Sequence, residues 1–198
     1  MTRIYLNQFV VSDDDIDLNQ HVNNLAYLRW MQDVAVAHSV AQGWPFERYL
    51  AAGAGWFVRS HFIEYLKPAF AGDTVLLHTW VSDITSRSST RHYLVCRESD
   101  GAVLAKARTV WVFVDLRSGR PVHIPPEVRS AFSIVPNEDP ELVALTRQVK
   151  VIVFAGVAGY SLNRTAAKRW CVDFNVRQMP DLLPHVNAAR AVFGTDLQ

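Results

Sequence analysis

The apolar positions of the chain change their period once, and this change separates one helix from a run of strands. Between Asn24 and Gln42 the apolar residues recur at steps of three and four, which is the spacing of one helix face. The pattern predicts an amphipathic helix that ends before Gly43 and Pro45. The predicted buried face consists of Tyr27, Trp30, Met31, Val34, Ala37 and Ala41.

Strand-like segments lie on both sides of this helix. Residues 4–11 are rich in β-branched and aromatic side chains and stop at an acidic cluster, which predicts a first strand followed by a loop. One long helix before a run of antiparallel strands predicts an α+β fold, with the helix packed on a single sheet of about five strands. The four segments after the helix, separated by turn residues, are 56–65, 74–83, 89–98 and 103–114.

The last third of the chain is less regular. Residues 125–132 predict a short helix that completes the first unit, residues 136–140 resemble a linker, and residues 141–148 predict one more helical piece. We therefore divide the chain into a domain at 1–135 and a C-terminal extension at 136–198. A weak echo of an early motif in Asp173-Phe174-Asn175 and His185-Val186-Asn187-Ala188 leaves a degenerate partial second repeat open as the alternative to a plain extension.

Charge and composition argue against several classes of protein. Twenty Lys and Arg residues face nineteen Asp and Glu residues, so the net charge of +1 creates no broad field to attract nucleic acid or an anionic membrane. No apolar run approaches the roughly 20 residues that cross a bilayer, and the first residues lack the apolar core of a secretory signal. Cys96 and Cys171 have neither the number nor the spacing of a disulfide framework or a zinc site. We expect a soluble, cytoplasmic protein without nucleic-acid or membrane partners.

The loop between the first strand and the helix holds an unusual density of polar side chains. Asp17, Asn19 and His21 supply a carboxylate, an amide and an imidazole, which suit proton transfer or nucleophilic chemistry. Free backbone N–H groups at the start of the helix suit a carbonyl oxygen that gains negative charge. Asn23 and Asn24 are equally typical of helix caps, so both interpretations stay open for them.

The string Asp17-Leu18-Asn19-Gln20-His21-Val22-Asn23-Asn24, followed by Tyr27, resembles the signature of hotdog-fold thioesterases. The resemblance is to acyl-[acyl carrier protein] thioesterases and to the 4-hydroxybenzoyl-CoA thioesterase-like group, and it covers residues 1 to about 135. It implies a hotdog fold, in which an antiparallel sheet wraps around a long central helix. It also implies hydrolysis of acyl-CoA or acyl-[acyl carrier protein] without a serine nucleophile, a metal or a cofactor.

The resemblance also implies residue roles. In the carrier-protein branch Asp17, Asn19 and His21 match the proposed catalytic group, whereas in the other branch Asp17 alone is the nucleophile or the base toward water. Asp33 aligns with a helix Glu of the plant enzymes, and the alternative is an ordinary surface charge. The expected substrate-binding residues are Asn23, Asn24, Tyr27 and Asp33.

An acyl-thioester enzyme also needs an apolar slot and cations for the phosphates of the carrier. Each candidate has an ordinary alternative, because an aromatic stripe is typical of a core and a charged side chain is typical of a surface. The slot candidates are Trp30, Met31, Val34, Trp44, Trp56 and Phe57, and the phosphate candidates are Arg59, Lys67, Arg87 and Arg91.

Two other functions stay open, a hotdog dehydratase or hydratase and a non-catalytic acyl-thioester-binding protein. The chain has no Gly-x-Ser-x-Gly elbow, which argues against an α/β-hydrolase type of thioesterase. One unit of this kind has a single helix and a sheet with exposed edges, which are normally paired or covered. The resemblance implies sites built from two chains, so we expect a homodimer or a homotetramer.

Overall fold

The computed structural model describes residues 3–146. The predicted helices and strands are confirmed to within a few residues, and two further elements appear, a 3-10 turn at Asp13–Asp15 and the short helix α2. Residues 140–146 are also helical. In chain order the main elements are β1 (Tyr5–Val10), α1 (Asn24–Ala41), α2 (Phe46–Ala51), β2 (Ala54–Tyr65), β3 (Thr74–Ile84), β4 (Ser88–Arg97), β5 (Val103–Asp115) and α3 (Pro126–Ala131).

The strands form one five-stranded antiparallel sheet in the order β1-β3-β4-β5-β2. Strand β4 is therefore central, and β1 and β2 are the edges. A register shift between Val58 and Ser60 interrupts the pairing of β2 with β5. Such a bulge increases the local twist of a strand, and it lies in the strand whose other edge is unpaired within the described residues.

Helix α1 lies against one face of this sheet. Its buried side chains recur at steps of one and three residues, so they form a single stripe. They pack with inward-facing residues of the strands, among them Val75, Leu77, Tyr93 and Val95. The stripe differs from the predicted face at its end, because His38 is buried whereas Ala41 is exposed. A central helix wrapped by one sheet is the hotdog arrangement expected from the sequence.

The opposite face of the sheet is also covered in part. Trp80, Leu94 and Cys96 form a buried cluster on this face together with Val135 and Leu142. The segment expected to be a linker is therefore packed, since Asp139 is buried and forms an ion pair with Arg3. The residues of the candidate second repeat, 173–175 and 185–188, lie outside the described residues.

Candidate functional site

The polar loop before α1 closes as a tight turn. An isolated β-bridge joins Ile16 to Val22 and brings the ends of residues 17–21 together. The amide of Asp17 donates to the carbonyl of His21 at 3.0 Å, and the amide of Gln20 donates to the carbonyl of Asp17 at 3.0 Å. Gln20 has a φ of 67°, in the left-handed region that residues other than glycine rarely adopt. This turn places Asp17, Asn19 and His21 next to one another.

The carboxylate of Asp17 lies at the centre of these three side chains. Its Oδ1 accepts a hydrogen bond from the backbone amide of Asn19 at 2.7 Å, and its Oδ2 is 3.5 Å from the side-chain nitrogen of Asn19. The Nδ1 of His21 lies 3.8 Å from Oδ1, beyond hydrogen-bond distance. The side chains of Asp17 and His21 are 23% and 41% exposed. Asp17 therefore presents an accessible carboxylate with an imidazole beside it.

A second carboxylate, Asp15, fixes the loop and was not identified from the sequence. Asp15 is buried, and it forms an ion pair with Arg29 of α1. Its carbonyl oxygen accepts the amide of Asn23 at 2.8 Å, while the amide of Val22 donates to the carbonyl of Ala69 at 2.9 Å. These bonds attach both ends of the turn to the helix and to the β2–β3 connection. Asp15 and Arg29 are separated by fourteen residues, so no local spacing rule pairs them.

Asn23 and Asn24 differ in role at the start of α1. Asn23 is the N-cap, and its Oδ1 accepts the amide of Leu25 at 2.8 Å. Asn24 is the first helical residue and is exposed, and its carbonyl accepts the hydroxyl of Tyr65 at 3.3 Å. No hydrogen bond within residues 3–146 uses the amide of Asn24. A free N–H group at the positive end of the helix dipole therefore lies close along the chain to the turn.

Tyr27 and Asp33 differ in burial, since Tyr27 is buried whereas Asp33 is exposed on α1. Tyr27 is buried in the core, where its ring contacts Trp30 and Tyr65. Burial is the main cause that raises the pKa of its hydroxyl to about 12. Asp33 is exposed on α1, nine residues beyond Asn24 and so about 13 Å along the helix axis. No hydrogen bond or ion pair within residues 3–146 joins either side chain to Asp17, Asn19 or His21.

A cavity of about 510 Å³ lies between the second half of α1, α2 and the sheet. Three of the expected slot residues line it, namely Trp44, Trp56 and Phe57. The other three are instead part of the buried core against the sheet. Those residues are Trp30, Met31 and Val34.

Three of the four candidate phosphate-binding cations are exposed in the structure, and the fourth is buried. Arg59, Lys67 and Arg87 are exposed. Arg91 is not a solvated surface charge, because it is buried and lines the cavity. The alternation of side chains along β4 places Arg91 on the face that packs toward α1.

Comparison with known proteins gives relatives of two kinds. The acyl-[acyl-carrier-protein] hydrolase FATB3 of Cuphea viscosissima is 28% identical over 137 residues, which cover 69% of this chain and 31% of that protein. The long-chain acyl-CoA thioesterase FadM of Escherichia coli is 25% identical over 122 residues, which cover 62% of this chain and 92% of FadM. The chain thus spans about a third of the plant relative and nearly all of the bacterial one.

Solved structures show the same fold. A putative oleoyl thioesterase from Lactobacillus plantarum has a TM-score of 0.63 at 20% identity, over 67% of this chain and 52% of that chain. The 1,4-dihydroxy-2-naphthoyl-CoA thioesterase Slr0204 from Synechocystis has a TM-score of 0.61 at 16% identity, over 65% and 94%. These likenesses confirm the expected hotdog fold.

One family model spans the turn at residues 17–21, the central helix and the strands after it. The model is described as the thioesterase-like superfamily, and it matches residues 11–132. Within residues 3–146, no helix is long and apolar enough to cross a membrane. Since the match covers more than half of the sequence, the chain belongs to the thioesterase-like superfamily.

Proposed function

We propose that the protein hydrolyses an acyl thioester of CoA or acyl carrier protein to the free acid and the thiol. The observation that carries this proposal is the accessible carboxylate of Asp17, beside His21, in a tight turn that leads into the N-terminus of α1. Membership in the thioesterase-like superfamily supports this reaction. Relatives named for each of the two carriers support both as substrates.

Asp17 is the group that drives the chemical step in this proposal. As a base, its carboxylate takes a proton from water while the water oxygen attacks the thioester carbonyl carbon. As a nucleophile, it attacks that carbon itself and forms an anhydride that water then cleaves. In both routes the carbon–sulfur bond breaks and the thiolate takes up a proton. The amide of Asn19 holds the carboxylate in place at 2.7 Å.

The start of α1 stabilises the negative charge that develops on the substrate. The carbonyl oxygen of the thioester gains negative charge as the tetrahedral intermediate forms. The free amide of Asn24, at the positive end of the helix, is the donor that we assign to this oxygen. His21, whose Nδ1 lies 3.8 Å from Oδ1 of Asp17, is the neighbouring group that exchanges protons with the carboxylate once the two side chains close to hydrogen-bond distance or a water bridges them.

The test compares Asp17→Asn with the native protein in thiol release from a panel of short, long and aromatic acyl thioesters of both carriers. The substitution keeps the shape of the side chain and removes its charge, so we expect the chemical step to slow by about a hundredfold to ten-thousandfold. Asp13→Asn, at an exposed position of the same loop, is the matched control and should keep full activity.

Four outcomes would contradict the proposal. Asp17→Asn would retain more than about a tenth of the native turnover, or its loss of activity would follow a loss of thermal stability of the size that a missing cap causes, about 1 kcal/mol. Hydration of a double bond without thiol release would instead identify a hydratase. Binding of acyl thioesters without turnover would identify a non-catalytic protein.

A further inference from the structure

The central strand of the sheet carries an arginine at an inward-facing position. Along β4, Ser89, Arg91, Tyr93 and Val95 alternate with outward-facing residues and are buried toward α1. Arg91 is only 6% exposed. A buried charge lowers the stability of the fold unless it is paired or hydrogen-bonded. The partners of Arg91 therefore indicate its role.

None of the partners of Arg91 within residues 3–146 is a carboxylate. Its Nη1 donates to Nδ1 of His38 at 2.8 Å and to Oγ1 of Thr79 at 3.3 Å, and its guanidinium lies 5.8 Å from the ring centre of Phe132. Because a guanidinium only donates, Nδ1 of His38 is the acceptor of this hydrogen bond. No ion pair within residues 3–146 involves Arg91. Burial lowers its pKa from the ordinary value, yet an arginine stays charged at neutral pH.

Arg91 lines the cavity and keeps donors that no hydrogen bond within residues 3–146 uses. Both side-chain hydrogen bonds that it makes to described residues use Nη1, which leaves Nε and Nη2. Ser89 lies on the same wall, and no side-chain hydrogen bond within residues 3–146 uses its hydroxyl. The other walls are largely aromatic, with Trp44, Trp56 and Trp111 among them. Two guanidinium donors in one plane match the two oxygens of a carboxylate.

We propose that this cavity binds the carboxylate of an amphiphilic organic acid, with the carboxylate on Arg91 and Ser89 and the apolar body against the tryptophans. Its volume of about 510 Å³ lies within the roughly 300–1,000 Å³ of pockets that enclose small organic ligands. The site is apart from the Asp17 turn of the same chain. Ala35, the first residue of α1 in its wall, lies eleven residues beyond Asn24, about 16 Å along the axis.

The carboxylate has two possible sources. One is a free acid, and the other is the far end of an acyl thioester that carries a second carboxylate. The second source rests on the proposed function, whereas the first does not. Binding measurements and kinetic measurements therefore test them separately.

The binding test compares decanoate with decanamide, which share an apolar body and differ in charge. Calorimetry and the fluorescence of the cavity tryptophans report both affinities at pH 7.5. We expect decanoate to bind the native protein about tenfold to a hundredfold more tightly than the amide. Arg91→Met should abolish this preference, Arg91→Lys should keep part of it, and Arg87→Met, at an exposed position just before β4, should keep all of it.

A second variant tests the site without touching the buried charge. Ala35→Leu adds a larger side chain to the cavity wall on α1, where leucine is a strong helix former. It should lose the affinity for both ligands while its melting temperature stays at or above the native value. This outcome supports the proposal even if Arg91→Met fails to fold.

Three results would overturn the proposal. The native protein would bind decanoate and decanamide equally, it would bind neither at millimolar concentration, or Arg91→Met would fold and keep the preference. Asp17→Asn should keep the preference for decanoate, so a failed thioesterase does not affect this test. A higher kcat/KM for acyl-CoA with a terminal carboxylate than for its methyl-ended analogue, lost in Arg91→Met, would identify the substrate as the source. Equal values would identify the free acid.

Discussion

Asp15 and Asp17 are two residues apart in one loop, yet their surroundings give them different roles. Asp15 is buried and paired with Arg29, so its charge holds the loop against α1. Asp17 keeps an accessible carboxylate, bonded to the amide of Asn19 and near His21. The same side-chain type is therefore an anchor in one place and, in the function that we propose, the reactive group in the other. We therefore expect a substitution of Asp15 to act on loop geometry and a substitution of Asp17 to act on the proposed chemical step.

The raised pKa values of two buried weak acids, the Tyr27 hydroxyl and the Cys96 thiol, predict a loss of stability at high pH. Burial raises the pKa of Tyr27 to about 12 and that of the Cys96 thiol to about 11. Because the unfolded chain ionises both groups at lower pH, their contribution is complete below about pH 9 and is lost as the pH rises toward 12. We expect the melting temperature to fall over this range. Tyr27→Phe should make the fall shallower, and an unchanged slope in this variant would contradict the assignment.

The sequence predicts a helix or strand where the apolar pattern repeats often enough to be recognised. Helix α1 shows several repeats of its apolar face, and the strands after it are separated by turn residues. Helix α2 was missed because its six residues span less than two turns. Pro45 was interpreted as the end of α1, whereas it also precedes the first turn of α2, where proline fits well.

The sequence predicted only those parts of the candidate site whose residues are close together along the chain. The turn at residues 17–21 lies within one motif, so its polar side chains were predicted to meet. The anchor Asp15–Arg29 and the group Arg91–His38 join distant positions, which no local pattern reveals. From the sequence, Arg91 was a phosphate candidate or a surface charge, whereas the structure buries it.

The helical segment at residues 140–146 gives a prediction for packing on the outer face of the sheet. Leu142 is buried there with Trp80 and Leu94. Leu142→Ala should lower the free energy of unfolding by about 2–4 kcal/mol, because it removes buried methyl groups and leaves a cavity. Glu141→Ala, at an exposed neighbouring position, is the control and should change it by less than about 0.5 kcal/mol. Denaturant unfolding of the full chain measures both, and equal values would mean that this segment contributes no packing energy.

At the scale of the whole molecule, the edge of β2 that is unpaired within residues 3–146 and the accessible carboxylate of Asp17 both indicate that a second chain is needed. β2 is twelve residues long and pairs with β5 on one side only within the described residues. Phe57, Phe62 and Tyr65 of this strand are exposed, and a long apolar edge is a template for pairing with another chain. The side chain of Asp17 is 23% exposed, whereas the proposed acyl transfer is favoured where water is excluded. A second copy that pairs at β2 would cover the edge.

We therefore predict that the working unit is at least a homodimer that pairs through β2. Sedimentation of the native protein at micromolar concentration should give at least twice the chain mass of 22.4 kDa. Phe62 is 59% exposed and its register partner is Arg108 of β5, so Phe62→Glu places a charge on the edge while Arg108 offsets it within the chain. This variant should be a folded monomer with little thiol release. Leu6→Glu, on the opposite edge strand β1, should remain a dimer, and a fully active native monomer would show that one chain alone completes the site.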